Sequence, residues 1–361
     1  MSLRVLHLTR DFPPRVNGGL STAVGSMVLA SRDLGLEVQV ISFDGWRPRG
    51  RNRAARLPDT DDVFRVRENE DLAEARCFAE RFAPDILHAH DALVLEALPL
   101  DALPLPAPLV FSVHVDHALQ RRLRGLDRPT RSEEAQARAI ERADAVTAPS
   151  RTCCTAVHDE APGAHVVFAP LGVDASPDSA GGEEILYVGR LADVKGTREL
   201  LEAARRVDAP FVIAGGLPDN QRAELRWHEN APENVLFAGW LDRESLAARH
   251  RTAAMLVAPS WTETFGLAVA EAMRAGVPPI VSDVGALPER VKHGVSGLLI
   301  PPRDVDALVA AIERLRADPE LRATLGAGAR DAARAWTWSA CADVMLEVYR
   351  SIPELRPPRG V

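Results

Sequence analysis

Short apolar runs alternate with helix-patterned stretches along nearly the whole chain, and this rhythm restricts the fold more than any other feature. Runs rich in Val, Ile and Leu at 3–8, 37–42, 85–89, 108–113, 145–148 and 166–169 read as strands, with helices expected at 18–34 and 131–143. A second series follows at 184–188, 210–214, 234–238, 254–258, 278–282 and 297–300. Strands that alternate with helices need crossover connections, and crossovers give parallel sheets in an α/β architecture. Between the series, residues 172–183 are small and acidic and read as a linker. Two domains are therefore expected, at 1–171 and 184–337, which suits a chain of 361 residues. The last part, 304–351, is mostly helical with breaks at Asp318-Pro319 and near Trp336. Residues 47–57 are Arg-rich and poorly periodic and read as a mobile loop, and the tail 356–361 reads as disordered.

Composition narrows the partners. With a net charge of -8, the chain lacks the overall basic footprint of a nucleic-acid binder or of a protein held on anionic lipid. The N-terminus is too short and polar for a signal peptide, and no run approaches the ~20 apolar residues of a membrane span. Cys77, Cys153, Cys154 and Cys341 show no metal-ligand spacing and read as reduced thiols, so a cytoplasmic setting is expected. Only two of the 43 basic residues are lysines, Lys195 and Lys292, which singles both out.

In doubly wound folds ligands bind at the C-terminal ends of strands, in a crevice. The turns after strands are where chemistry is expected. After the first strand, Asp11 leads to Gly18-Gly19, either a flexible turn or a loop that lets backbone approach a phosphate. His114 and Asp116 follow the strand at 108–113, while His88 and His90 alternate along another strand. These histidines are either cleft-lining groups or satisfied structural residues, and their spacing matches no metal site. Arg190 and Lys195 flank the turn after 184–188 and can converge on an anion there. Gly239 and Leu241 follow the strand at 234–238, where backbone could meet a flat base edge.

Glu263 and Glu271 are eight positions apart, the first on a strand-to-helix turn and the second inside the helix. A helical rise between them separates the carboxylates by about 10 Å. They cannot grip one atom, but they can hold the two ends of a ligand whose middle is an anion at the helix N-terminus. The bland reading is a helix-start carboxylate plus a surface glutamate.

Taken together these turns resemble the retaining GT-B glycosyltransferases of family 4 (group 1). The segment Glu263-Thr-Phe-Gly-Leu-Ala-Val-Ala-Glu271 looks like the family's Glu-x7-Glu signature, and Gly189-Arg190 to Lys195-Gly196 looks like its diphosphate turn. Gly18-Gly19 resembles its glycine loop, and Pro170-Leu-Gly-Val-Asp174 its domain hinge, with Leu171 where asparagine is common.

The resemblance implies two Rossmann-like domains facing across a cleft, with a C-terminal helix, about 338–354, returning to the first domain on anchors such as Trp336 and Trp338. It also assigns roles. Gly18, Gly19, Arg190 and Lys195 would hold the donor diphosphate. His114, Glu263, Thr264, Phe265, Gly266 and Leu267 would hold the donor sugar. Glu271, with Gly239 and Leu241, would take ribose and base. Catalysis would rest on His114, Glu263, Arg190 and Lys195, with Asp11, His90 and Asp116 as acceptor candidates.

The expected reaction moves a hexose or amino-hexose, with retention, from a UDP-sugar to a hydroxyl of a small soluble acceptor, in secondary-metabolite biosynthesis of the aminoglycoside kind. No metal or other cofactor is expected. A lipid-linked or polysaccharide acceptor, an epimerase or phosphorylase on the same fold, and a non-catalytic binding protein are the competing readings. Residues 120–131 hold several arginines and are either a solvated face or a contact for membrane or an anionic acceptor.

Overall fold

The computed structural model describes residues 2–14, 18–43, 59–67, 71–97, 107–216 and 226–355. The whole of the expected loop at 47–57 and the whole tail at 356–361 lie outside the described residues. The chain divides into two compact units: residues 1–172 together with 338–361, and residues 173–337. Both are built on parallel Rossmann-like sheets.

The first unit carries a seven-stranded sheet ordered β3-β2-β1-β4-β5-β6-β7. Its strands are β1 (Arg4–Thr9), β2 (Glu37–Ser42), β3 (Val63–Arg65), β4 (Ile86–Ala89), β5 (Leu109–Ser112), β6 (Ala145–Ala148) and β7 (Val166–Phe168). All pairings within this sheet are parallel. The order reverses between β1 and β4, which makes that pair the switch point. Buried apolar residues of the central strands, among them Leu6, Leu8, Ile41, Leu87 and Phe111, form a core with Phe43 and Phe78.

The second unit has a six-stranded sheet ordered β10-β9-β8-β11-β12-β13. Its strands are β8 (Glu184–Val188), β9 (Phe211–Ala214), β10 (Val235–Gly239), β11 (Ala253–Ala258), β12 (Pro279–Ser282) and β13 (Leu298–Ile300). Here the reversal falls between β8 and β11, which pair in parallel. β11 is buried along its whole length, as a strand with helices on both faces requires.

Sequence patterning locates these strands to within a residue or two, apart from β3, which is three residues long and too short to show a period. The helices start where side chains can cap them. Thr130 and Glu133 form a reciprocal capping box at Arg131–Arg142. Ser150, Asp242, Asp304 and Asp318 each accept a hydrogen bond from the backbone three residues on.

The C-terminal helix Trp338–Leu355 packs on helix Gly19–Asp33 of the first unit. Trp338, Cys341, Met345, Val348, Tyr349 and Ile352 are buried. The expected anchor Trp336 is elsewhere: its ring packs in a core of the second unit, and its carbonyl accepts from Val173 N at 3.0 Å. Tyr349 is the largest fully buried anchor. Its side chain is fully buried, and its hydroxyl lies 2.7 Å from His88 Nδ1.

All four cysteines are free thiols. No described helix is long and apolar enough to cross a membrane.

Candidate active site

In the second unit, three turns at the C-terminal ends of neighbouring strands are locked together by backbone. The turn after β8 runs from Gly189 to Gly196, and Val194 O accepts from Trp261 N at 2.9 Å in the turn after β11. Gly196 is left-handed at φ 72°, and a Cβ there would lie 2.0 Å from Pro259 O. On the other side, Ala286 N, in the turn after β12, donates to Glu263 O at 2.9 Å. Gly285 has φ 54°, and a Cβ there would lie 2.2 Å from that same oxygen. Only glycine allows backbones to approach so closely in this conformation.

Side chains complete the clamp. Trp261 Nε1 donates to Glu199 Oε1 at 2.9 Å, and Arg303 stacks on the Trp261 ring at 3.9 Å. Phe265 is buried, with the Arg290 guanidinium 4.3 Å above its ring. Gly266 caps helix Leu267–Arg274 in the left-handed conformation, with no side-chain cap on the helix's first N–H groups.

The clamp presents charge. Lys195 Nζ donates to Glu263 Oε1 at 2.6 Å, and Ser260 Oγ donates to the same oxygen at 3.0 Å. The pair is partly buried, the two side chains being 22% and 15% exposed. Sequence reasoning treats Lys195 as a cation aimed at an anion and Glu263 as a carboxylate aimed at a sugar. Here each is the other's partner, which orients both. Lys195 still has two N–H donors beyond that bond. Arg190 is exposed, and its carbonyl accepts from the Tyr187 hydroxyl at 2.8 Å, which fixes the backbone beneath it.

Glu271 sits inside the helix and is half-buried rather than a surface glutamate. Burial, with Asp174 adding negative charge, pushes its carboxyl up to about 7, against a smaller opposing pull from Arg243. Arg243 itself pairs with Asp174 at 2.7 Å. Gly239 ends β10 at φ 66° with open space on its Cβ side, and Leu241 packs on a core cluster.

In the first unit the chemistry stands at the other switch point. Gly18 precedes helix Gly19–Asp33 at φ 135°, and no side chain caps that helix. His114 follows β5, and burial lowers its imidazole to about 4, so it is neutral at physiological pH. His114 Nε2 lies 3.1 Å from His90 Nδ1.

The acceptor candidates have structural duties. His90 is 2% exposed, with both ring nitrogens engaged inside the protein. Asp116 caps helix His117–Leu123 by accepting from Leu119 N at 2.7 Å. Asp11 is buried at the end of β1. Two arginines of the basic stretch are paired, Arg121 with Glu133 at 2.8 Å and Arg131 with Glu96 at 3.2 Å, which reduces that face's free charge.

Sequence reasoning missed Ser260, Gly285, Arg243, His7 and Tyr349. Ser260, three positions before Glu263, and Gly285, in the turn after the strand at 278–282, had a local signal. The others meet the site only through tertiary contacts.

Two parallel sheets, each with polar turns at its switch point, define a two-domain GT-B-type α/β protein. Comparison with known proteins gives the family. The model described as "Glycosyl transferases group 1" matches residues 175–332, and that described as "Glycosyltransferase Family 4" matches residues 17–176. This chain belongs to the group 1, family 4 glycosyltransferases.

Among relatives, it is 35% identical over 181 residues to a D-inositol 3-phosphate glycosyltransferase of Jonesia denitrificans, spanning 46% of this chain and 43% of that one. Among solved structures, it resembles a sucrose-phosphate synthase from Thermosynechococcus elongatus with TM-score 0.83 at 21% identity, covering 98% and 100% of the two chains. It also resembles Anabaena Alr3699/HepE in complex with UDP-glucose, with TM-score 0.77 at 19% identity over 97% and 100%.

Proposed function

We propose that this protein is a retaining glycosyltransferase that moves a hexose or amino-hexose from a UDP-sugar to a hydroxyl of a small acceptor, without a metal ion. The observation that carries this reading is the Lys195–Glu263 pair on the clamp, with Arg190 on the same turn and Glu271 further along the helix. Breaking an anomeric C–O bond puts positive charge on the sugar and negative charge on the departing diphosphate. Arg190, Lys195 and the uncapped helix N-terminus offer cationic and dipolar stabilisation where that negative charge develops. Glu263 takes sugar hydroxyls, helped by Thr264 and by backbone at Phe265, Gly266 and Leu267. Glu271 takes the ribose hydroxyls, with Gly239 and Leu241 near the base. The ion pair keeps both groups oriented. When donor binds, Glu263 turns to the sugar and Lys195 gives its remaining donors to phosphate oxygen.

On the first unit, Gly18 and Gly19 are assigned the diphosphate and His114 the donor sugar, as the family resemblance implies. UDP as the nucleotide agrees with the UDP-glucose held by the HepE structure. In a retaining front-face reaction the departing phosphate takes the acceptor's proton.

The test is a screen of UDP-sugars against cyclitol, aminoglycoside and lipid acceptors by mass spectrometry, with the product's anomeric configuration read by NMR. Turnover in excess chelator, a retained configuration and a loss of about 100-fold in kcat for Arg190→Ala are expected. An inverted product sinks the retaining reading. Donor isomerised with no acceptor present replaces the transferase with an epimerase, and dependence on inorganic phosphate replaces it with a phosphorylase.

A further inference from the structure

The first unit places four histidines in contact, in two separate hydrogen-bonded lines. β1 and β4 pair with His7 opposite His88. His88 Nδ1 is 2.7 Å from the Tyr349 hydroxyl, and its Nε2 is 2.7 Å from Ser112 Oγ, itself 2.6 Å from Thr147 Oγ1. The second line joins His7, His90 and His114. His7 Nδ1 is 2.8 Å from His90 Nε2, and His90 Nδ1 is 3.1 Å from His114 Nε2. Its inner end is His7 Nε2, which is fully buried with no hydrogen-bonding partner among the described residues.

The ring nitrogens of His7, His88 and His90 lie within 4.8 Å of one another, close enough to suggest a cation. But both nitrogens of His88 and of His90 are already engaged. A metal there would break those bonds and bury its charge among neutral imidazoles. The lines are better read as hydrogen-bond wiring.

The rings are neutral: burial lowers His7 to about 3 and holds His90 well below its usual value. Each neutral imidazole has one N–H and one lone pair. The line can therefore be ordered in only two ways. If donors run from His114 toward His7, a buried N–H is orphaned at His7 Nε2. If they run from His7 toward His114, a lone pair is left there instead. An orphaned buried N–H is rarer than an under-used acceptor. Arg32 also adds positive potential at His7, which favours the lone pair at that end.

We propose that His7 and His90 hold His114 in its Nδ1–H tautomer. His7 Nδ1–H donates to His90 Nε2, His90 Nδ1–H donates to His114 Nε2, and His114 carries its own proton on Nδ1. His7 and His90 are positioning residues. The consequence, which rests on the reading that His114 meets the donor sugar, is that His114 is a hydrogen-bond donor and not the general base. Its one lone pair is committed to His90, so the acceptor's proton has to leave by another group, the departing phosphate.

The test is long-range 1H–15N correlation on the 15N-labelled full chain at neutral pH, with His114 assigned by its loss in His114→Gln. His114 is expected to show a protonated Nδ1 and an unprotonated Nε2, the reverse of histidine free in water. A protonated Nε2 overturns the proposal, and that spectrum needs no substitution in the line. His7→Asn retains an N–H donor near the Nδ1 position and is expected to keep the pattern. His7→Leu removes the donor and is expected to mix the tautomers and lower kcat about tenfold, with the donor KM nearly unmoved; unchanged tautomer and kcat in His7→Leu overturn the role of His7. Adding UDP-sugar separates the two readings. A His114 signal that does not move sinks the sugar contact while leaving the tautomer assignment standing.

Discussion

At the residue scale the site is a set of side chains already paired before any ligand arrives. Lys195 and Glu263 hold one another at 2.6 Å, partly out of water. Removing either strands the other, so Lys195→Met and Glu263→Gln should each lose activity and stability, and the double variant should recover part of the stability. A double-mutant cycle followed by denaturant unfolding is expected to give a coupling of about 1–3 kcal/mol; additivity would dismiss the pair as incidental. Glu271 gives a pH prediction. Its carboxyl ionises near 7 instead of 4.5, so the free protein's stability should fall as pH rises through that window, because the folded state holds the proton longer than the unfolded one. In the role proposed for Glu271, the charged form is the better acceptor for ribose hydroxyls. The donor KM should therefore fall as pH rises through about 7, and Glu271→Gln should flatten that dependence. An identical slope in the variant assigns the titration to another group. The spacing of Glu263 and Glu271 and the scarcity of lysine are legible in the sequence. Their burial and pairing are not, because desolvation depends on residues such as Asp174 that are distant in the chain.

At the element scale, tight turns after strands decide where these side chains stand. Gly285 touches Glu263 O closely enough that Gly285→Ala has to move backbone. It should cost at least about 1–2 kcal/mol from left-handed strain alone, read as a lowered Tm, with a larger loss in kcat than in solubility. A fully active, equally stable variant would mean that the turn has slack. Strand and helix patterns are visible because periods of 2 and 3.6 are local properties. β3 and helix Ala92–Ala97 escape notice because three and six residues are too few to show a period. The C-terminal helix shows a similar divide: its position and one buried anchor, Trp338, are legible, but its polar tie to the sheet is not. Trp336 and Trp338 attract attention as bulky residues near the break, whereas Tyr349 binds the sheet through His88, 261 positions away. Tyr349→Phe leaves His88 Nδ1 buried without its hydrogen-bond partner and should cost about 1–3 kcal/mol by denaturant unfolding. A neutral result would mean that water replaces the hydroxyl.

At the scale of the whole molecule, the two units differ in how they are closed. Residues 173–337 are contiguous and hold their own cores. Expressed alone, that stretch should unfold cooperatively and bind UDP measurably by calorimetry. The first unit is discontinuous, since it needs the helix Trp338–Leu355 to cover Gly19–Asp33. Residues 1–172 alone should therefore lack a cooperative transition; a sharp one would show the helix to be dispensable.

The sequence by itself determines the α/β class, the strand positions and the turns where chemistry gathers, because these follow from local periodicity and from glycine and charge at strand ends. Only the tertiary structure decides that Lys195 is paired with Glu263, that burial raises the Glu271 carboxyl toward neutrality, and that His7, His90 and His114 form one line. Those outcomes depend on burial and on contacts between distant segments, and no short window of the chain encodes either.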